Sequence, residues 1–77
     1  MITYRTAITN NGLTITDEDY SKELTIIYAS KGNFRVTVGT NGTAIFHKPN
    51  GTTKEYYHIS ANKLNNYIKQ TIAANNL

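Results

Sequence analysis

Apolar and polar residues alternate with a period of two along most of this chain, and the alternation breaks at short runs of Asn, Gly, Pro and Ser. Ile2, Tyr4, Thr6 and Ile8 alternate with Thr3, Arg5, Ala7 and Thr9, the pattern of a half-buried strand. Asn10-Asn11-Gly12 then predicts a turn. A two-residue loop at Asn11-Gly12 sets Ile8 opposite Ile15 and Asn10 opposite Leu13, giving an N-terminal hairpin over residues 1–16. Thr16 followed by Asp17-Glu18-Asp19 has the form of a helix N-cap with acids in the first turn, so one short helical turn or an acidic loop is expected before Lys22.

Residues 23–60 read as a central sheet of four strands separated by Ser30-Lys31-Gly32, Asn41-Gly42 and Pro49-Asn50-Gly51. A three-residue bulged turn suits Ser30-Lys31-Gly32 and pairs Ala29 with Asn33; a two-residue loop at Lys31-Gly32 is the competing choice and gives a poorer core. Asn41-Gly42 predicts a two-residue hairpin with Val38 opposite Ile45 and Arg35 opposite Lys48. Pro49-Asn50-Gly51 favours a type I turn with a bulge, which pairs Lys48 with Thr52, Phe46 with Lys54 and Ala44 with Tyr56.

These registers sort the side chains into two faces, because successive residues of a strand point to opposite sides. One face collects Leu24, Ile26, Tyr28, Phe34, Val36, Val38, Ile45, Tyr57 and Ile59, with His47 and Glu55 towards one end, and is expected to be the core. The other interleaves basic and aromatic groups, chiefly Arg35, Phe46, Lys48, Lys54, Tyr56 and His58, with no acid among them.

After Ser60, a favourable N-cap, Leu64, Ile68 and Ile72 recur every four residues with Ala61 and Tyr67 beside them, predicting an amphipathic helix over 61–75. The expected fold is therefore α+β: an antiparallel β-meander of two N-terminal strands plus a four-stranded sheet, curved or barrel-like, with one C-terminal helix on one face. Over residues 23–75 this order of four strands and a helix resembles, in topology, the single-strand-binding transcription cofactor and Whirly group, whose members work as oligomers. An SH3-like barrel with a terminal helix, as in some archaeal chromatin proteins, fits the strand count as well.

At 77 residues the chain is one domain near the lower limit for an unaided core, so added burial through a partner or a homodimer suits it. It has no cysteine, which excludes disulfides, thiol catalysis and cysteine-based zinc sites, and fits a cytoplasmic setting. No apolar run approaches the roughly 18 residues of a membrane span, and no basic-then-apolar leader follows Met1. Eight basic residues against five acids give a net charge of +3, which permits an anionic partner. The abundance of Asn and Thr suits an AT-rich genome such as that of a phage or mobile element.

Catalytic chemistry finds little footing. His47 and His58 are assigned to opposite faces, and no serine lies in a nucleophile-elbow pattern. The isolated glycine turns lack the spacing of a phosphate loop, and three adjacent acids do not converge on one cation. No catalytic, metal or cofactor site is assigned. The expected function is that of a small non-enzymatic binding protein. Nucleic acid is the first candidate partner, with Phe46 and Tyr56 stacking on bases and Arg35, Lys48 and Lys54 holding the backbone, His58 lying beside them. The alternative is a phage-type inhibitor or adaptor, for example anti-CRISPR-like, directed at a host or defence protein through the same patch.

Overall fold

The computed structural model describes residues 2–77, and Met1 lies outside them. The fold is α+β: α1 (Tyr4–Asn10), β1 (Thr14–Tyr20), β2 (Thr25–Lys31), β3 (Phe34–Gly39), β4 (Ala44–His47), β5 (Thr53–Tyr56) and α2 (Ala61–Ala74). The five strands form one antiparallel sheet in sequence order, an open meander and not a closed barrel. Ala7 and Ile8 of α1, together with Leu64 and Ile68 of α2, share one apolar cluster with the inward side chains of the sheet. Both helices therefore lie on the same face.

Residues 4–10 depart from the expected N-terminal hairpin: they are helical, and only the second arm of that hairpin is a strand. Tyr4, Ala7, Ile8 and Asn11 lie at i, i+3, i+4 and i+7, a helical stripe that coexists with the period-two pattern. Seven residues are too few for a stable isolated helix, so packing decides. Ala7 and Ile8 are fully buried, the Tyr4 hydroxyl donates to the Ile59 carbonyl at 2.6 Å, and Asn11 Nδ2 donates to Asn65 Oδ1 of α2 at 2.8 Å. Thr3 caps the start by accepting from the Thr6 N–H at 3.1 Å. Gly12, at φ +80°, ends the helix as Gly12 N–H donates to the Thr9 carbonyl and Leu13 N–H to that of Ile8. The left-handed glycine that suits a tight hairpin serves a helix C-terminus equally well.

Asp17-Glu18-Asp19 is likewise not a helical turn or loop but part of the edge strand β1. An extra residue, Thr16, interrupts the pairing between Ile15↔Ala29 and Asp17↔Tyr28. This bulge carries Ile15 and Glu18 to the helix side and leaves Asp17 and Asp19 on the other. Glu18 is met there by Arg5 of α1, the one ion pair among the described residues. Three successive acids on an exposed edge also discourage pairing with another chain.

Strands β2 to β5 occupy the anticipated segments, but two of the three turns differ from expectation by one residue. Lys31 pairs with Phe34 across a two-residue turn whose first central residue, Gly32, has φ +59°, in place of the bulged turn pairing Ala29 with Asn33. Between β3 and β4 the loop is one residue longer than expected: Gly39 N–H donates to the Thr43 carbonyl, and Gly42 N–H to that of Gly39. Gly42, at φ +93°, is packed so closely that an added Cβ would lie 3.1 Å from His58 Cα, while its carbonyl accepts from Ile59 N–H. The longer loop thus docks onto the link between β5 and α2. The third turn is as expected, with Lys48 N–H donating to the Thr52 carbonyl, Phe46 opposite Lys54 and Ala44 opposite Tyr56.

Each one-residue change flips a strand against β3, and the two flips exchange faces on both sides of it. Phe34, Val36 and Val38 are buried as expected, joined by Ile27, Ala29, Ala44 and Phe46. Leu24, Ile26, Tyr28, Ile45, His47 and Glu55 stand on or beside the opposite face instead. Desolvation explains the choice. The expected core would have turned an imidazole, a carboxylate and two phenols inward, groups costly to bury without a partner, whereas the observed inward residues of β2, β3 and β4 carry no charge until Lys31 at the end of β2, and the inward charges of the edge strands, Glu18 and Lys54, stay at the margin. At the C-terminus, Ser60 accepts from Lys63 N–H at 3.2 Å and α2 follows the predicted span closely.

Two expectations follow. Phe46→Ala should remove about 3–5 kcal/mol of stability in denaturant titration, as for a buried phenylalanine. The Arg5 guanidinium donates to Glu18 and holds its carboxyl below the usual range. That small stabilisation is present above the unfolded carboxylate range and is lost as pH falls through the folded value. Glu18→Gln should therefore lower stability slightly at neutral pH and leave it unchanged in acid, where the two denaturation midpoints should converge.

Candidate binding face

The six residues expected to form a basic, aromatic face are divided between the two sides of the sheet and its end loops. Phe46 is fully buried. Its ring meets Phe34 edge-on at 5.6 Å and Tyr56 at 5.1 Å, and Tyr56 stacks on Tyr67 of α2 at 4.6 Å and 15°. This aromatic row lies between the sheet and α2, so Phe46 is a core residue and not a stacking platform. Burial holds the Tyr56 phenol above its usual range. Lys54 lies beside it, with Nζ 6.0 Å from the Tyr56 ring centroid. Lys48 follows β4 directly in the β4–β5 turn. His58 is exposed in the β5–α2 link, with φ +55°. Arg35 alone stands on the uncovered face, opposite Ser30 and His47. The structure brings Phe46, Lys54 and Tyr56 together and separates Arg35 from them.

Cross-strand pairing arranges the uncovered face in rows. Thr14, Ser30, Arg35, His47 and Thr53 form one, without an acid. Asp17, Tyr28, Thr37, Ile45 and Glu55 form the next, with a carboxylate at each end. Asp19, Ile26 and Gly39 begin a third. Apart from Gly39, no residue of these rows is fully buried.

Two depressions divide this face. An apolar one of about 190 Å³ is lined by Leu24, Ile26 and Ile45 with Thr37, Gly39 and Thr43. A larger one, about 550 Å³, has a mixed lining that includes Asp17, Tyr28, Ser30, Arg35, Val36 and His47, and Thr37 besides. Thr37 belongs to both. The Tyr28 hydroxyl donates to Asp19 Oδ2 at 3.3 Å, and partial burial together with that carboxylate raises its phenol above the ordinary range. At the far edge the Tyr57 hydroxyl donates to Glu55, which raises the Tyr57 phenol, although its ring is 62% exposed. Half-buried Leu24, Ile26, Tyr28 and Ile45 are the site residues that the expected registers had assigned to the core. The signal that could have exposed them is the company they keep: the same alternation carries His47 and Glu55.

Chemically, this surface offers an apolar patch flanked by a guanidinium and an imidazole on one side and carboxylates at the strand edges. That set suits recognition through mixed contacts. No protein-family model, curated protein or solved structure matches the chain.

Asp19→Asn should lower the Tyr28 phenol part of the way towards its ordinary value, the remainder reflecting partial burial and the nearby Asp17 charge. Tyrosine ring signals followed by NMR through alkaline pH should show this for Tyr28 and leave Tyr56 unaffected.

Proposed function

We propose that the chain is a small non-enzymatic binding protein that engages a protein partner through the uncovered face of its sheet. The observation that carries this reading is the apolar patch of Leu24, Ile26 and Ile45, bordered by Tyr28 and Arg35, left open on a domain with few residues to spare for burial. Tyr and Arg are favoured as anchors in protein interfaces. The nucleic-acid reading rested on Phe46 and Tyr56 as base platforms, and their places between sheet and helix favour the protein partner instead. Size, the lack of an assigned catalytic motif and the Asn- and Thr-rich composition support an inhibitor or adaptor of phage or mobile-element type, acting on a host or defence protein in the cytoplasm. A second copy of the chain is the alternative occupant of the same face. No helix among the described residues is long and apolar enough to cross a membrane.

Affinity capture from a bacterial host lysate with the tagged chain, compared with Ile26→Asp and Ile45→Asp, tests the reading. A partner retained by the parent chain and weakened about tenfold or more by either variant is the expected result. Light scattering reports self-association in the same samples. Salt-sensitive binding of a single-stranded oligonucleotide that survives both variants and is lost on Lys48→Ala with Lys54→Ala would overturn it.

A further inference from the structure

Arg35 and His47 face each other directly across β3 and β4, on the open side of the sheet. Two groups that can both be cationic are an unfavourable cross-strand pair unless an anion lies near them. None is supplied within their own row, where their neighbours are the hydroxyl residues Ser30 and Thr53. Among the described residues the Arg35 side chain forms no ion pair and no hydrogen bond, so its fork of N–H donors is free for a ligand. Both side chains line the 550 Å³ depression, a volume within the usual range for a small-ligand site. Its opposite wall carries Asp17, whose carboxylate already accepts from the Glu18 backbone N–H at 2.9 Å.

We propose that this depression is an oxyanion site in which Arg35 and His47 hold a carboxylate or phosphate group, with Ser30 able to add a hydroxyl donor. A bidentate oxyanion matches the guanidinium fork, and an imidazole beside it donates through a ring nitrogen. Asp17 sets the second requirement. It disfavours an anion that fills the whole depression and favours a ligand carrying an amine or another donor at the end away from Arg35. The ligand is thus an acid-and-donor pair on the bound partner's surface, for which compact zwitterions serve as probes. The site deepens the reading of the open face as the binding surface by naming the polar chemistry it takes.

NMR titration of the full chain separates these points, using inorganic phosphate, acetate, O-phosphoethanolamine and β-alanine at constant ionic strength against a chloride control. Saturable shifts at Ser30, Arg35 and His47 are expected with phosphate or acetate and absent with chloride; the stronger of the two identifies the preferred oxyanion. Arg35→Gln should weaken that binding about tenfold to a hundredfold, as for loss of charged hydrogen bonds. The amine-bearing probe should bind more tightly than its parent anion, and Asp17→Asn should erase the difference. Equal shifts with chloride, or oxyanion binding unchanged in Arg35→Gln, overturn the site. Ile26→Asp, which leaves these residues in place, keeps the two readings apart. Loss of the protein partner with an intact oxyanion titration supports both, whereas a partner that ignores Ile26→Asp fails the docking reading alone.

Discussion

Burial of the Phe46 ring between Phe34 and Tyr56 is the contact on which the rest of the structure depends. It joins β3, β4 and β5 into one inner surface, and Tyr56 passes the contact on to Tyr67 of α2. Once Phe46 points inward, the pleat requires Ala44 to do so and Ile45 and His47 to point outward. Those outward residues then compose the open face. A single ring orientation therefore decides both what α2 covers and what remains available for binding. Small residues complete the inner surface: Ala29 and Ala44 flank Val36 and Val38 in the paired rows, leaving room for the helices to approach.

Electrostatics follows from the same orientation. On the helix side the charged strand residues sit at the margins, Glu18 on the edge strand β1, Lys54 on the edge strand β5 and Lys31 at the end of β2. Glu18 finds Arg5, so the ion pair also links the short α1 to the sheet. The outer face instead holds Arg35 and His47 on its inner strands, at one end of the sheet, with acids on the edge strands. A net charge of +3 thus gives little guide to the character of any one surface. Its cations are distributed over turns, α2 and both faces.

The α+β class, the four strands of residues 23–60 and α2 were legible in the sequence because alternation, turn residues and the Ser60 cap all act locally. The facing of the strands was less so. Asn41-Gly42 is a strong local signal for a tight hairpin, but the observed loop docks Gly42 on the His58–Ile59 backbone, a contact between segments distant in sequence. Residues 4–10 satisfied two periodicities at once, and Asn65 and Ile59, far along the chain, decide between them. The candidate site inherited this difficulty, since Phe46 and Ile45 are neighbours and one residue of register exchanges them. Burial cost offered the missing discrimination: a face containing His47 and Glu55 is a poor choice for a core.

The sequential order of the sheet has a kinetic consequence. Every strand pairs with the strand before it, so each hairpin closes a short loop and can zip from its neighbour without a search across the chain. The helices behave differently. The Asn11–Asn65 and Tyr4–Ile59 bonds close loops of more than fifty residues. Loop entropy places such closures late in folding, after the hairpins have shortened the distance to be spanned. The native contacts thus fall into two classes, short closures within the sheet and long ones where α1 meets α2 and the link before it.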